Sequence, residues 1–297
     1  MPTPVLEVID LKKTYKRGWR AKPVPALKGV SFKIEAGTVT GFLGANGAGK
    51  TTTIKCILEL SIPDSGKIIY FGEDGLSSES KSKIGFLPER PYFYDYLTGR
   101  EFLRFYGQLS RPTKRSDLEA RVSELLKRVG LSQAGDRPLR SYSKGMLQRV
   151  GIAQALVHRP QFIILDEPQT GLDPDGRFEV REIIRETANE GTAVFFSSHL
   201  LPDAEQLCEN LVIYKQGELV YAGATEALLG QAEQGYRIVW HQNGSLQTQD
   251  TSAMADLQIA IDRIRQARGE IREIKPLRQS LETIFMKIGF DGKVFQP

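Results

Sequence analysis

The sequence has few cysteines and no long apolar run. Its 297 residues include only Cys56 and Cys208, which are too few and too isolated for a disulfide framework or a zinc site. The longest apolar runs, residues 162–165 and 193–196, fall far short of the roughly 18 to 20 residues that cross a bilayer. Residues 1–10 lack the basic start and apolar centre of a signal peptide. These absences predict a cytoplasmic protein that does not span a membrane by itself.

The sequence also lacks an excess of charge of one sign. Forty basic and 36 acidic residues give a net charge of +4, and the two signs are interleaved along the chain. Because nucleic-acid-binding proteins usually concentrate basic residues on one face, no nucleic-acid partner is expected. With 40% apolar residues, the chain is long enough to form one large domain with a substantial core and a second, small one.

A complete glycine-rich phosphate-binding motif is present. Residues 44–52 read G-A-N-G-A-G-K-T-T after the apolar run 39–43, and they satisfy the pattern G-x-x-x-x-G-K-[ST]. Glycines let successive backbone N–H groups turn toward a phosphate chain, and the dipole of the helix predicted next points at the same anion. An ordinary turn is the alternative, and the completeness of the motif argues against it. The residues predicted to bind the nucleotide are Gly44, Asn46, Gly47, Ala48, Gly49, Lys50, Thr51 and Thr52.

Polar residues follow three apolar strands of the predicted sheet. Lys50, in the loop after the first strand, would reach the β- and γ-phosphates, and the Thr51 hydroxyl would ligate Mg²⁺. Asp166 and Glu167 follow the strand 162–165, where an aspartate can hold Mg²⁺ and a glutamate can take a proton from water. His199 comes soon after the strand predicted for residues 192–196. Three such strand ends predict one nucleotide site at one edge of a doubly wound sheet.

The flanking segments predict an antiparallel β subdomain before the motif and helices after it. Residues 5–11 and 31–35 alternate as strands, and residues 73–83 read as a polar loop. Tyr15 ends the first strand and Trp19 lies in the next loop; each ring either stacks on an adenine or packs on its own sheet.

Two capping boxes predict helices in the region between the strands 84–87 and 162–165. Thr98 with Glu101 begins one helix, and Ser116 with Glu119 is predicted to begin the next. Ser143 is a good N-cap for a third helix, and its hydroxyl with the free N–H groups forms a second anion site. The helices form a predicted insert at about residues 90–158.

Two further segments lie outside these motifs. The aromatic residues Tyr92, Phe93, Tyr94 and Tyr96 either pack under the helices or form an exposed docking patch. Residues 230–297 predict a small α+β appendage, because Asn243-Gly244 separates two strand-like runs and a helix, a strand and a helix follow. The arginines of this tail, such as Arg263, form either a ligand patch or a solvated helical face.

The order of these motifs resembles the nucleotide-binding subunits of ATP-binding cassette (ABC) transporters. The similarity covers about residues 5–229, and it implies a P-loop NTPase fold of the α/β class with a mainly parallel sheet. The end of the chain, S-L-E-T-I-F-M-K-I-G, is similar to cassettes of drug, antibiotic and polysaccharide exporters. The resemblance implies a domain at residues 1–229, the N-terminal antiparallel subdomain and helical insert within it, and an added domain at residues 230–297.

The resemblance also implies a mechanism. Two cassettes would pair head to tail, as a homodimer or with a second cassette, so that Ser143 and Gly145 of one chain hold the ATP bound by its partner's P-loop. Glu167 and His199 would be catalytic, Asp166 would hold Mg²⁺, and Tyr15 would stack on the adenine. The pair would drive a separate integral membrane permease from the inner face of the cell membrane, exporting a substrate.

Three departures from the family pattern accompany the resemblance. Glu89 stands where the family has a glutamine that ligates Mg²⁺; a carboxylate can also ligate the ion but, when ionised, donates no hydrogen bond. Lys144 and Met146 replace a glycine and a glutamine of the signature, and Gln169 with Thr170 replaces the more usual Thr-Ser. The alternatives are a soluble ABC ATPase of DNA repair or translation, and a regulatory cassette with weak turnover.

Overall fold

The structure, a computed structural model, describes residues 3–16, 22–110, 114–230, 235–242, 244–277 and 280–291. Trp19 and Asn243, which the sequence places in loops, lie outside these residues. Within the described ranges, every helix is too short or too polar to cross a membrane.

The secondary structure alternates strands and helices along most of the chain. The strands are β1 (Leu6–Tyr15), β2 (Val24–Ile34), β3 (Val39–Leu43), β4 (Ser65–Tyr70), β5 (Glu73–Asp74), β6 (Ile84–Leu87), β7 (Phe162–Leu165), β8 (Ala193–Ser198), β9 (Asn210–Lys215), β10 (Glu218–Ala224), β11 (Tyr236–Gln242), β12 (Ser245–Thr251) and β13 (Glu270–Pro276). The helices are α1 (Lys50–Ile57), α2 (Ser78–Ser82), α3 (Gly99–Ser110), α4 (Arg115–Arg128), α5 (Lys144–Leu156), α6 (Pro174–Asn189), α7 (Leu201–Leu207), α8 (Thr225–Gly230), α9 (Met254–Gln266) and α10 (Leu281–Asp291).

A six-stranded sheet in the order β10-β9-β3-β8-β7-β6 forms the centre of the first compact unit, Met1–Ala222. The pairs β3/β8, β3/β9, β7/β8 and β6/β7 are parallel. Strands covered on both faces need apolar side chains throughout, and all residues of β3 and β7 are buried. The predicted α/β class with a mainly parallel core is confirmed.

The N-terminal strands form the antiparallel subdomain that the sequence predicts. The sheet order is β2-β1-β4-β5, and all of its pairs are antiparallel. Phe32 from this sheet stacks on Phe195 of the central sheet with 5.8 Å between ring centroids, and Phe42 stacks on Phe195 at 4.9 Å. These buried rings give the two sheets one shared core.

Two features of the N-terminal region differ from the sequence-based expectation. The strand β2 begins at Val24 rather than near residue 31, because its pairing with β1 extends to Tyr15. Residues 73–83 are not an uninterrupted loop: β5 and the short helix α2 lie there. The Ser77 hydroxyl accepts the Ser80 N–H and caps that helix, a local signal that the sequence contains.

The helical insert α3, α4 and α5 lies between β6 and β7. The Thr98 capping box forms as predicted, since Thr98 N–H donates to Glu101 Oε2 (2.8 Å) and Glu101 N–H donates to Thr98 Oγ1 (3.2 Å). The Ser116 capping box was wrong, because α4 begins at Arg115 and Glu119 instead accepts two hydrogen bonds from Arg104. The apolar face of α4 is buried; its members are Leu118, Val122, Leu125 and Leu126, and Val129 directly after the helix is buried too.

The second compact unit, Gly223–Phe295, contains an antiparallel three-stranded sheet in the order β12-β11-β13. The hairpin of β11 and β12 pairs Gln242 with Ser245, which is the arrangement that the turn signal predicts. Helix α9 packs on this sheet around a small core made of Ile238, Trp240, Leu257, Ala260 and Ile264. The domain boundary after residue 229 stays a prediction, while the compact units divide after Ala222.

Candidate functional site

The loop of residues 44–52 connects β3 to α1. Gly49 is the N-cap of α1 with φ +109°, and a Cβ atom there would lie 2.7 Å from the Ala26 carbonyl oxygen, so only glycine fits without a shift. Gly47, with φ +81°, has open space around it. The loop therefore combines a tightly packed base with an open rim that exposes its backbone.

Lys50 begins α1 and is buried, with 6% of its surface exposed. Its Nζ donates a hydrogen bond to the Gly44 carbonyl oxygen at 2.6 Å. The same ammonium lies 3.7 Å from Oε1 of Glu167, a residue of the loop that follows β7. A buried cation thus joins the loop to the acidic residues that follow β7.

The parallel pairing of β7 and β8 places Leu165 beside Phe196, so the residues that follow them also meet. Asp166 is almost fully buried, and its backbone N–H donates to the Leu87 carbonyl oxygen at 2.8 Å. The Ser197 hydroxyl donates to Asp166 Oδ1 at 2.6 Å and accepts the Glu167 N–H at 2.8 Å. Ser197 was missed as a site residue because the sequence-based strand ended at Phe196, whereas β8 continues to Ser198.

Glu167 has a carboxylate with several close polar neighbours. Its Oε2 accepts a hydrogen bond from the Thr170 hydroxyl at 3.0 Å and lies 2.7 Å from Nδ1 of His199. Because an ionised carboxylate only accepts hydrogen bonds, the pairing requires the His199 proton on Nδ1. The backbone of Glu167 is left-handed, with φ +50°, which is uncommon for a residue other than glycine and recurs at functional sites.

The electrostatics of Asp166 follow from its surroundings. Burial raises the pKa of the Asp166 carboxyl above its ordinary value. The hydrogen bond from Ser197 opposes this rise, and so, more weakly, does the charge of Lys50. The neighbouring carboxylates of Glu167 and Glu89 raise the same pKa. The carboxylates of Asp166, Glu167 and Glu89 are thus close to the ammonium of Lys50, and a bound cation would balance the remaining negative charge.

These residues surround an open cleft with a cavity volume of about 260 Å³. Sequence reasoning missed Ala45 and Thr170, which adjoin its motifs, and Ala26, which comes from β2 and carries no chemical signal. The predicted site residues that line the cleft are Asn46, Gly47, Gly49, Lys50, Thr51, Thr52, Glu89, Glu167 and His199.

Some predicted site residues do not line this cleft. Gly44 contributes its carbonyl to Lys50, and the Ala48 side chain is part of the core, so both lie beneath the cleft surface. Asp166 lies behind Glu167 in the buried layer. Tyr15 is 38% exposed, with its hydroxyl 3.3 Å from Ser61 Oγ and Lys13 Nζ 5.6 Å from its ring centroid.

Ser143 and Gly145 lie at the start of α5, and neither lines the cleft. Ser143 is the N-cap, as predicted, and its hydroxyl accepts the Met146 N–H at 3.3 Å. The Lys144 ammonium lies against Gly171 in the loop that follows Glu167, where a Cβ atom would collide with it. The start of α5 thus lies apart from the residues that line the cleft, and its role as a second anion site stays a prediction.

The cleft fits a polyphosphate with a divalent cation. The open rim at Gly47 leaves room for a ligand beside the backbone of the loop, and Lys50 supplies a cation. The Thr51 hydroxyl and the Glu89 carboxylate face the same cleft, and oxygen ligands of this kind suit Mg²⁺.

Comparison with known proteins gives consistent findings. A family model described as "ABC transporter" matches residues 27–170. An uncharacterized ABC transporter ATP-binding protein of Synechocystis sp. is 38% identical over 95% of this chain and 84% of its own length. The linearmycin resistance ATP-binding protein LnrL of Bacillus subtilis is 35% identical over 74% of this chain and 69% of its own. A solved dimeric bacterial ABC transporter cassette has a TM-score of 0.67 at 25% identity, covering 74% of this chain and 98% of that one.

Proposed function

The chain belongs to the ATP-binding proteins of ABC transporters, and we propose that it hydrolyses ATP to drive a separate membrane permease. The observation that carries the proposal is that Lys50 and the Glu167–His199 pair face one cleft, with 3.7 Å between Lys50 Nζ and Glu167 Oε1. Phosphate binding alone is common to kinases, GTPases and ATPases. The paired carboxylate and imidazole add the means to activate water.

In the proposed complex the loop of residues 44–52 holds the phosphates of ATP with its backbone N–H groups. Lys50 exchanges its hydrogen bond to Gly44 for the β- and γ-phosphate oxygens and keeps its position beside Glu167. Thr51, Asp166 and Glu89 would hold Mg²⁺. Bound Mg²⁺ neutralises the phosphate charge and stabilises the transition state of phosphoryl transfer.

Hydrolysis needs a water molecule aimed at the γ-phosphate, and Glu167 is the residue proposed to orient it. Its Oε2 is already held by Thr170 and His199, so the carboxylate keeps one orientation. Glu167 accepts a hydrogen bond from the water and polarises it, while His199 fixes the carboxylate and lies where it can reach the phosphate. Only 12% of the Glu167 side chain is exposed, so water screens its interactions less than those at the surface, whereas 49% of the His199 side chain is exposed.

Ser143 and Gly145 are proposed to act on a second cassette. They lie at the start of a helix, with free N–H groups, that does not line the cleft of their own chain, which supports a head-to-tail pair in which each chain completes its partner's site. The solved bacterial cassette is dimeric, which supports the pairing of two chains. Tyr15 is 38% exposed, and we propose that it stacks on the adenine.

The membrane partner and the direction of transport are inferred from two observations. LnrL is a resistance protein by name, and a transporter confers resistance by moving a compound outward, so we infer export. The exposed aromatic surface of Tyr92, Tyr94, Tyr96 and Phe105 is proposed as the permease contact, which would place the chain at the inner face of the membrane. Tyr92 and Tyr96 are 80% and 73% exposed, whereas Phe93 packs on Phe102.

The two domains are proposed to divide these roles. Residues 1–229 would form the cassette, and residues 230–297 would form an appendage that contains none of the residues assigned to ATP. The separate hydrophobic core of the second compact unit supports this division.

The proposed function is tested by Mg-ATP hydrolysis of the full chain beside Glu167→Gln, each also run on a sizing column with and without ATP. We expect turnover in the parent, loss of turnover in the variant, and an ATP-dependent dimer that the variant retains. A chain that hydrolyses no ATP and does not dimerise with ATP would contradict the proposal.

The permease contact has its own test. Tyr92 and Tyr96 are replaced together by alanine, and Phe178, which is 55% exposed on α6, is replaced as the matched control. We expect the double variant to lose co-purification with a multi-span membrane protein while its basal ATP hydrolysis is retained, and the control to keep both. If the control variant lost co-purification as much as the double variant did, the aromatic surface would not be the permease contact.

A further inference from the structure

The Ser197 hydroxyl touches both acidic residues of the site. It donates to Asp166 Oδ1 at 2.6 Å and accepts the Glu167 N–H at 2.8 Å. Ser197 has no exposed surface, so water does not compete for either bond. A backbone N–H can only donate and an ionised carboxylate can only accept, so the hydroxyl accepts from Glu167 and gives its own proton to Asp166. Both hydrogen bonds therefore have a fixed direction.

One of these bonds orients the Asp166 carboxylate. A carboxylate whose Oδ1 is held cannot rotate freely about its last bond, so the position of Oδ2 is set as well. A carboxylate held in one orientation is what a divalent cation requires of its ligands or of the groups that hold its waters.

The other bond holds the backbone of Glu167. The left-handed conformation at φ +50° persists in a residue with a side chain only where the surroundings enforce it. The Glu167 N–H bond to Ser197 supplies such a constraint on one side of the residue. The side chain that this backbone projects is the carboxylate that Thr170 and His199 hold.

We propose that Ser197 is a positioning residue for ATP hydrolysis, which sets Asp166 and Glu167 in one fixed relation through a single hydroxyl. This inference rests on the proposed function. Ser197 does not line the cleft, and it acts through the two acidic residues. The parallel register that puts Phe196 beside Leu165 brings the hydroxyl to them from the neighbouring strand.

The test uses the full chain and Ser197→Ala. We expect kcat to fall by about 10-fold to 100-fold, as is usual when a group that orients a metal site is removed, with the KM for ATP changed less than about 2-fold. A second readout does not depend on turnover: the binding of a fluorescent ATP analogue is measured over a range of Mg²⁺ concentrations. The Mg²⁺ concentration at half-saturation should rise by about 10-fold in the variant.

Three further variants separate positioning from simple structural support. Ser198→Ala removes the next hydroxyl of the same strand, which is also buried but accepts the Leu200 N–H, and it should keep the parental Mg²⁺ dependence. Ser197→Thr keeps the hydroxyl and should restore most of kcat and the Mg²⁺ dependence. Ser197→Cys keeps the size but is a weak hydrogen-bonding group, so it should behave like Ser197→Ala.

Two results would overturn the inference while the proposed function stands. One is a parent that hydrolyses ATP beside a Ser197→Ala variant with the same kcat and Mg²⁺ dependence. The other is a Ser197→Cys variant with the parental kcat and Mg²⁺ dependence, because the volume of the side chain would then be sufficient without its hydrogen bonds. If Ser197→Ala does not fold, the Thr and Cys variants decide between the outcomes. A parent that neither binds nor hydrolyses ATP overturns the proposed function and this inference with it.

Discussion

One wall of the cleft comes from the consecutive residues 44–52, whereas a second wall combines Glu167 and His199, which follow two different strands and lie 32 positions apart in the chain. The first wall is mostly backbone, and its shape depends on where a Cβ atom fits. The second wall is made of side chains whose hydrogen bonds cross between β7 and β8. The first wall is suited to binding a phosphate chain, and the second to placing charge and a water molecule.

The largest expected effects are a loss of ATP binding in one variant and a loss of ATP turnover in another. Lys50→Met removes the cation of the first wall and should weaken ATP binding, while Glu167→Gln removes the water-orienting carboxylate and should lower kcat by about 100-fold or more with binding retained. Equilibrium binding of a fluorescent ATP analogue and steady-state hydrolysis measure the two quantities. If Glu167→Gln lost as much affinity as Lys50→Met, the two walls would not have separate roles.

The next effect concerns the backbone of the first wall. Gly49→Ala puts a Cβ atom 2.7 Å from the Ala26 carbonyl oxygen at a φ of +109°, so beyond the strain of a left-handed backbone it should lower the free energy of unfolding by about a further 1–3 kcal/mol and impair ATP binding. Gly47→Ala is the matched control: its φ of +81° is also left-handed, but nothing lies near the added atom, so it should cost only about 1–2 kcal/mol. Thermal unfolding and nucleotide binding compare the pair, and equal losses would contradict the close-packed base of the loop.

A smaller effect is expected from a substitution of Glu89, which also lines the cleft. Its side chain is 47% exposed, so its charge is partly screened. Glu89→Gln removes a negative charge beside the phosphates and should tighten ATP binding without Mg²⁺ by about 3-fold, with a smaller change when Mg²⁺ is present. Binding isotherms at low and high salt measure the effect. A weaker affinity without Mg²⁺ would show that the Glu89 charge does not repel the nucleotide.

The smallest effect is a pH-dependent gain of stability in Asp166→Asn. Burial raises the pKa of Asp166 in the folded state above its unfolded value, so the ionised carboxylate costs stability above that folded pKa. As the pH falls through the folded pKa toward the unfolded one, the folded protein takes up the proton first and the cost disappears. The Asn variant should therefore show a slightly higher Tm than the parent near pH 7, and the difference should shrink on acidification. A difference that grew at low pH would reverse the sign of this effect.

Most of the architecture could be predicted from the sequence, and the exceptions have local causes. The strands β6 and β7 have the predicted bounds because apolar runs between polar residues define them. The capping box at Thr98 forms, but the one at Ser116 does not, because Arg104 from the neighbouring helix α3 takes the Glu119 carboxylate. At Glu119 the ion pair with Arg104 therefore replaces the local capping hydrogen bond that the sequence spacing favours.

The sequence by itself determined the loop of residues 44–52, since its glycine spacing and its lysine are properties of one short segment. It also indicated Asp166, Glu167 and His199, because polar residues after apolar strands are visible along the chain. Only the tertiary structure decided that the Ser197 hydroxyl joins Asp166 to Glu167. The physical reason is that sheet pairing sets which strand ends are neighbours, and that pairing is a contact between residues distant in sequence.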